Sequence, residues 1–224
     1  MKKWLLLSVG LLMSFGVIRA QSTDLGNWMI YIGNQRFAGK WNWWNEVQYR
    51  NYNLVGDLEQ LLVRTGIGRN LTEGNNNLLL GYAFIHNAPY TPGSSVKSVT
   101  SEHRIFQQFI TRQSFGRVFL QHRYRLEERF LTDRFRVRFR YFLGANIPFN
   151  KPKMEKGAWY LSLYNEVFLH SDKAVYDRNR VYGALGYQLH RDVRLEVGLM
   201  SQIQETRSRG QWQIALFNNL PFDR

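Results

Sequence analysis

Residues 134–141 read Arg134-Phe135-Arg136-Val137-Arg138-Phe139-Arg140-Tyr141. Every second residue is arginine, and the residues between are apolar or aromatic. A helix, turning about 100° per residue, would scatter the four guanidinium groups around its cylinder. A strand places all four on one face and Phe135, Val137, Phe139 and Tyr141 on the other. The stretch therefore reads as a strand with one cationic face and one apolar face.

The same period of two recurs along the chain. Val47 and Tyr49 oppose Glu46, Gln48 and Arg50, and Leu61, Val63 and Ile67 oppose Gln60, Arg64 and Gly68. Tyr124 and Leu126 oppose Arg123, Arg125 and Glu127, and Val197 and Leu199 oppose Arg194 and Glu196. Near the start, Trp28, Ile30 and Ile32 are assigned to the apolar face, against Asn27, Tyr31 and Gln35. The runs place candidate strands near residues 27–36, 41–52, 58–70, 76–86, 101–112, 117–128, 133–146, 158–170, 179–190, 193–204 and 210–219. Turn-forming segments separate them: Gly39-Lys40, Glu73 to Asn77, Ala88 to Ser95, Pro148 to Pro152, Arg191-Asp192 and Ser208-Arg209-Gly210. A closed antiparallel barrel with adjacent termini requires an even count, so the expectation is 10–12 strands.

The N-terminus has a different character. Lys2 and Lys3 precede an apolar run from Trp4 to Ile18, and Arg19-Ala20 precedes Gln21. This is the pattern of a secretory signal peptide cleaved after Ala20, leaving 21–224 as a single domain. The 224-residue chain carries a formal charge of +13, which loses three positive charges with the leader. It has no cysteine, which excludes disulfides, thiolate metal sites and thiol catalysis. After the leader no apolar run approaches the roughly 20 residues of a spanning helix.

Antiparallel strands of this kind fit either a soluble periplasmic β-sandwich with its apolar face inside or a transmembrane barrel with its apolar face outside. Three features favour an all-β, closed, up-and-down transmembrane barrel. Most runs reach the roughly 9–11 residues that a tilted membrane strand needs. Trp28, Trp41, Trp43, Trp44, Trp159 and Trp212 lie toward run ends, where interfacial girdles form. Arg123, Arg125, Glu127, Arg136, Arg138, Glu166, Arg180, Arg194 and Glu196 share the polar phase, and a lumen can pair them. Facing lipid at mid-membrane, one arginine would cost about 2–4 kcal/mol. Glu166 and Arg180 are expected to pair across neighbouring strands.

Several segments resemble a known family. They are Glu102-His103-Arg104-Ile105, Arg123 to Arg129, Arg138-Phe139-Arg140-Tyr141 with Ile147-Pro148, Asn165-Glu166-Val167-Phe168, Asp177 to Tyr182, and Leu185-Gly186-Tyr187 with Glu196-Val197-Gly198. In this order they are similar to the bacterial outer-membrane barrel family labelled domain of unknown function 2490, common in Bacteroidetes. The likeness runs from about residue 25 to the end. It implies an outer-membrane barrel in a Gram-negative bacterium and brings no established activity. One departure is the tail, Leu220-Pro221-Phe222-Asp223-Arg224, where such barrels commonly finish on an aromatic residue.

The functional expectations follow from the polar face. Excess positive charge in a lumen favours anions, so a narrow anion-preferring channel or an envelope-assembly component is expected, and side chains filling a small barrel are the structural alternative. An outer-membrane lipid- or lipopolysaccharide-modifying enzyme is a second alternative, but Ser101, Glu102 and His103 are contiguous and alternate in direction, so they form no relay. None of His86, His103, His122, His170 and His190 falls in a metal-binding pattern; His170 and His190 are placed at one rim. The expectation is a non-enzymatic monomer with no catalytic residues, no metal and no cofactor. Its partners are expected to be outer-membrane lipid and lipopolysaccharide rather than nucleic acid.

Overall fold

The computed structural model describes residues 25–72, 75–172 and 175–222. The leader assigned to residues 1–20 lies outside the described residues. Eleven strands are described: β1 (Gly26–Ala38), β2 (Trp41–Asn51), β3 (Leu58–Thr72), β4 (Asn76–Asn87), β5 (Thr100–Phe115), β6 (Val118–Leu131), β7 (Phe135–Pro148), β8 (Trp159–His170), β9 (Tyr176–His190), β10 (Val193–Ile203) and β11 (Ser208–Asn218). Each pairs with its neighbours in sequence, and β1 pairs with β11 to close a barrel.

The expected even strand count needs correction. Up-and-down alternation over an odd number of strands leaves the first and last pointing the same way. Here β1 and β11 are parallel, in register from Gly26↔Gln211 to Gly33↔Asn218. A parallel ladder still pairs the backbone groups, though slightly less stably per residue. Side chains and the C-terminal tail reinforce this seam. Gln35 donates to the Asn218 carbonyl at 3.1 Å, and Asn218 donates to the Tyr31 hydroxyl at 3.2 Å. Beyond β11, the Phe222 amide donates to the Arg36 carbonyl at 2.8 Å, and the Phe222 ring stacks on Trp43. The tail that departs from the family pattern thus sets its aromatic ring on the outer wall.

The two ends differ. One carries the connections 39–40, 73–75, 116–117 and 191–192, and one longer segment, 149–158; we call it the short-turn end. The other carries 52–57, 88–99, 132–134, 171–175 and 204–207; we call it the long-loop end. Ser208-Arg209-Gly210, expected as a turn, instead opens β11, because the reversal is made one step earlier by residues 204–207. His170 and His190 close antiparallel neighbours and so stand at opposite ends, not at one rim.

The outer wall is apolar on every strand. Exposed large apolar side chains include Met29 on β1, Val47 on β2, Ile67 on β3, Leu80 on β4, Ile105 on β5, Leu126 on β6, Phe139 on β7, Leu161 on β8, Leu185 on β9, Leu199 on β10 and Ile214 on β11. The inner wall buries Glu46, Arg64, Arg104, Gln108, Arg125, Glu127, Arg138, Glu166 and Glu196. The alternation read from the sequence holds on β2, β3 and β6 to β11, while β4 is apolar on both faces, with Leu79, Ala83 and Ile85 inside and Leu78, Leu80 and Tyr82 outside. On β1 it is reversed: Trp28, Ile30 and Ile32 line the interior, and Met29 is exposed. Both faces of β1 carry large apolar groups, so its own pattern does not separate them.

Two inward glycines make room for aromatic rings. Gly81 sits opposite Phe106, and a Cβ there would lie 2.3 Å from the ring; Gly186 sits opposite Tyr160, with a corresponding 2.2 Å. Both rings are fully buried. Gly81→Ala and Gly186→Ala are expected to cost about 1–3 kcal/mol each through overpacking. Gly183→Ala, whose Cβ would meet only Leu163 at 3.6 Å, is expected to be near neutral. Denaturant midpoints of the refolded variants measure the contrast.

Candidate functional site: the guanidinium-lined barrel interior

The inner wall gathers arginines around a few shared carboxylates. Glu127 on β6 is the most heavily used. It accepts from Arg138 and Arg140 on β7 at 2.6 Å each, and Arg104 and Arg125 stand 3.5 and 3.7 Å away. Glu166 on β8 accepts from Arg140 at 2.7 Å and Arg123 at 2.8 Å, with Arg180 at 4.0 Å. Glu166 and Arg180 are direct cross-strand partners, as expected, but the closer contacts come from β6 and β7. Glu102 holds Arg104 and Arg129, Glu46 holds Arg64, and Asp177 holds Arg138 and Arg178.

Aromatic rings carry the guanidinium groups that carboxylates do not saturate. Arg125 lies 4.4 Å from the centroid of Phe106 and 5.2 Å from that of Trp44, bridging from β6 across the lumen to β2. Arg138, Arg140, Arg178 and Arg180 all lie within 6.0 Å of the Phe168 centroid. Arg50 and Arg180 share the Trp28 indole at 3.6 and 4.9 Å. Such contacts strengthen as the cation loses water.

These groups divide the interior into two cavities. A larger one, about 730 Å³, opens toward the short-turn end, and a smaller one, about 250 Å³, lies toward the long-loop end. Arg64, Arg140 and Arg180 line both, so they form the partition. On the wall of the larger cavity Glu196 accepts from the buried Tyr160 at 3.0 Å, and Tyr164 donates to Gln213 at 3.2 Å.

The sequence assignments can now be placed. Arg123, Arg125, Glu127, Arg138, Glu166 and Arg180 belong to one connected network. Glu196 and Arg194 lie apart from it, 3.6 Å from each other, with Arg194 over Phe217. Arg136 keeps the inward phase but sits at the long-loop mouth, paired with the exposed Asp172. Of the aromatics, Trp41, Trp43, Trp159 and Trp212 are exposed on the outer wall. Trp212 lies in the body of β11, opposite Leu199 and Asn27, rather than at its end. Trp28 and Trp44 are corrections: they are 3% and 6% exposed, point inward, and serve as cation platforms. The parity of β2 puts Trp44 in phase with Glu46, Gln48 and Arg50, so its direction was legible. Arg50, Arg64 and Arg140 lie on the polar faces read from the sequence but were not named in the lumen set, whereas Glu102, Arg104 and Arg129 were missed, although Arg129 is in phase with Arg125 and Glu127. Phe168 was missed because an apolar residue in the polar phase carries no signal of its own. Among the described residues no group of His, Asp and Glu side chains is arranged to hold a metal ion.

A polar latch stands at the long-loop mouth. Lys97 donates to Asp57 and, at 2.7 Å, to the Leu58 carbonyl; Tyr90 donates to Asp57 at 3.0 Å. Lys97 also lies over the Tyr90 ring. The loop 88–99 is thereby tied to the start of β3. The hydrogen bond from Lys97 holds the Asp57 carboxyl below its ordinary 3.8, and the same bond raises the Lys97 ammonium above its ordinary 10.5.

The fold and interior define a class: a closed barrel with an apolar outside and a charge-paired inside. A family model described as a protein of unknown function, DUF2490, matches residues 25–213, and the chain belongs to that family. No curated protein and no solved structure matches it.

Two outcomes follow. Glu127→Gln leaves several buried cations without their shared carboxylate and is expected to lower stability by about 3–5 kcal/mol. Glu155→Gln, an exposed partner of Lys151, is expected to change stability by under about 0.5 kcal/mol. Denaturant unfolding compares them. The latch depends on pH with a defined sign. The Asp57 contribution is complete above pH 3.8 and is lost as pH falls through its lowered value. The Lys97 contribution is complete below pH 10.5 and is lost above its raised value. Protection of the amides of residues 88–99, with exchange corrected for its intrinsic pH dependence, should therefore be high between these limits and fall under strong acid, and Asp57→Asn should abolish the difference.

Proposed function

We propose that the protein is an outer-membrane β-barrel whose lumen admits small anions along a narrow path of guanidinium groups. The observation that carries this reading is the inward excess of arginine over carboxylate, placed where two cavities meet at Arg64, Arg140 and Arg180. A positively charged lining favours anions, and a constricted one passes them slowly. The apolar outer wall on all eleven strands supports a lipid surrounding, since a water-soluble monomer rarely exposes so continuous an apolar band. Trp41, Trp43, Trp159 and Phe222 lie outside near the short-turn end and supply one interfacial girdle, while Phe130 and Phe135 pair at the other end.

Short turns face the periplasm in bacterial barrels and longer loops face outward. In this reading the short-turn end is periplasmic, and the Asp57–Lys97 latch meets the exterior, where lipopolysaccharide is the neighbouring lipid. The barrel acts as a monomer, and the reading requires no covalent step of the chain.

The test has two parts. Cell fractionation should recover the full chain in the outer membrane; recovery in the soluble periplasmic fraction overturns the membrane reading. In planar bilayers with a potassium chloride gradient, the refolded protein should give small conductances whose reversal potential reports preference for chloride. Absence of conductance above background, or preference for potassium, removes the channel.

A further inference from the structure

The smaller cavity differs from the larger one in its charge. Eight of its fourteen lining residues are arginine, and Glu102 is the one acidic residue among them. The larger cavity also has eight arginines, but four carboxylates line it with them. Carboxylates behind the wall reduce the excess in the smaller chamber without removing it. Among the described residues, Glu46, Glu102, Glu127, Glu166 and Asp177 are the five carboxylates that lie within 4.0 Å of its arginines. Two of the five also serve Arg123 and Arg125 outside the chamber. Within these pairings at least three positive charges therefore remain unmatched around the chamber.

Individual groups locate the excess. Arg50 is held by the amide oxygens of Gln48 and Gln60 and by the Trp28 ring rather than by a carboxylate. Arg180 shares that ring and reaches its carboxylate only at 4.0 Å. Like charges are thus gathered on one indole, and again around Phe168, with the chamber in front of them. Arg64 is buried, lines the chamber and has an Nε–H without an acceptor among the described residues. Unmet donors and excess cations of this kind call for a multivalent acceptor.

We propose that this chamber is a binding site for a small polyvalent oxyanion of the phosphate class. The planar guanidinium fork matches two oxygens of one such group, which a spherical halide cannot offer. The chamber's volume of about 250 Å³ equals that of several waters at about 30 Å³ each, enough for a phosphate or diphosphate and too little for an acyl chain. The inference rests on the anion-attracting lumen proposed above and adds to it a resident ligand and its place.

The test uses the full mature chain, refolded in detergent, with folding checked by circular dichroism. Isothermal titration with pyrophosphate, orthophosphate, sulfate, glycerol phosphate and chloride reads the affinity. The expected result is one pyrophosphate per chain, bound about tenfold or more tighter than chloride. Arg50→Gln and Arg180→Gln should each weaken it by about tenfold, and Arg50→Lys, which keeps charge but loses the fork, should fall between. Arg178→Gln, at the half-buried mouth, provides a further variant should either of these not fold. Arg134→Gln removes an exposed loop charge and should leave binding unchanged. Glycerol phosphate binding more tightly than pyrophosphate assigns the site to a lipid headgroup and retains the phosphate chemistry; the reverse order assigns it to a free anion. No saturable binding of any phosphate, or binding unchanged in the folded chamber variants, overturns the site. Anion-selective conductance without phosphate binding removes this site and leaves the channel, whereas phosphate binding without conductance removes the channel and leaves the site.

Discussion

Glu127 receives two guanidinium hydrogen bonds at 2.6 Å while only 1% exposed, and the interior depends on contacts of that kind. Removing a charge from water costs several kcal/mol, which only good geometry and additional hydrogen bonds offset. The barrel meets this condition by sharing. Each central carboxylate serves two or more arginines, and Trp28, Trp44, Phe106 and Phe168 present ring faces to the rest. The aromatic rings inside are therefore part of the electrostatics as well as the packing. Gly81 and Gly186 leave the space that lets two of the inward rings lie flat against the wall.

Closure sets the second constraint. An open sheet of this length would leave two edges of unpaired backbone, and an apolar outer wall would make those edges sticky. Eleven strands remove both edges only by accepting one parallel pair. That seam borrows strength from its side chains: Gln35, Tyr31 and Asn218 hydrogen-bond across or beside it, and Phe222 packs on Trp43 just beyond. The tail and the first hairpin are in this way part of the closure. The same odd count places the beginning of β1 and the end of β11 at opposite mouths.

Much of this was legible in the residues. The Arg134–Tyr141 alternation identifies a strand and both of its faces, and most of the other strands follow the same rule; β4 is apolar on both faces, with Leu79, Ala83 and Ile85 inside and Leu78, Leu80 and Tyr82 outside. β1 does not follow the rule, because Trp28, Met29, Ile30, Tyr31 and Ile32 are large and apolar on both faces. Its direction is settled by pairing with β2, where Ile30 stands beside Gln48 and Ile32 beside Glu46. The network was legible as a set of inward charges but not as a set of partners. Glu166 illustrates this: its neighbour across the ladder is Arg180, yet its shortest contacts come from Arg140 and Arg123. Long guanidinium side chains choose partners by reach through the lumen, which strand spacing does not encode.

By itself the sequence determined the strands, their approximate bounds, and the separation of an apolar face from a cationic one, because side-chain direction along a strand has a period of two. It also contained the surplus of arginine, since composition and parity are both local properties. The odd closure, the inward turn of Trp28, the sharing of Glu127, and the division of the lumen at Arg64, Arg140 and Arg180 were decided only by the tertiary structure. Each depends on which strands face one another across the cylinder, and that distance is fixed by the number of strands and their register rather than by any one stretch of chain.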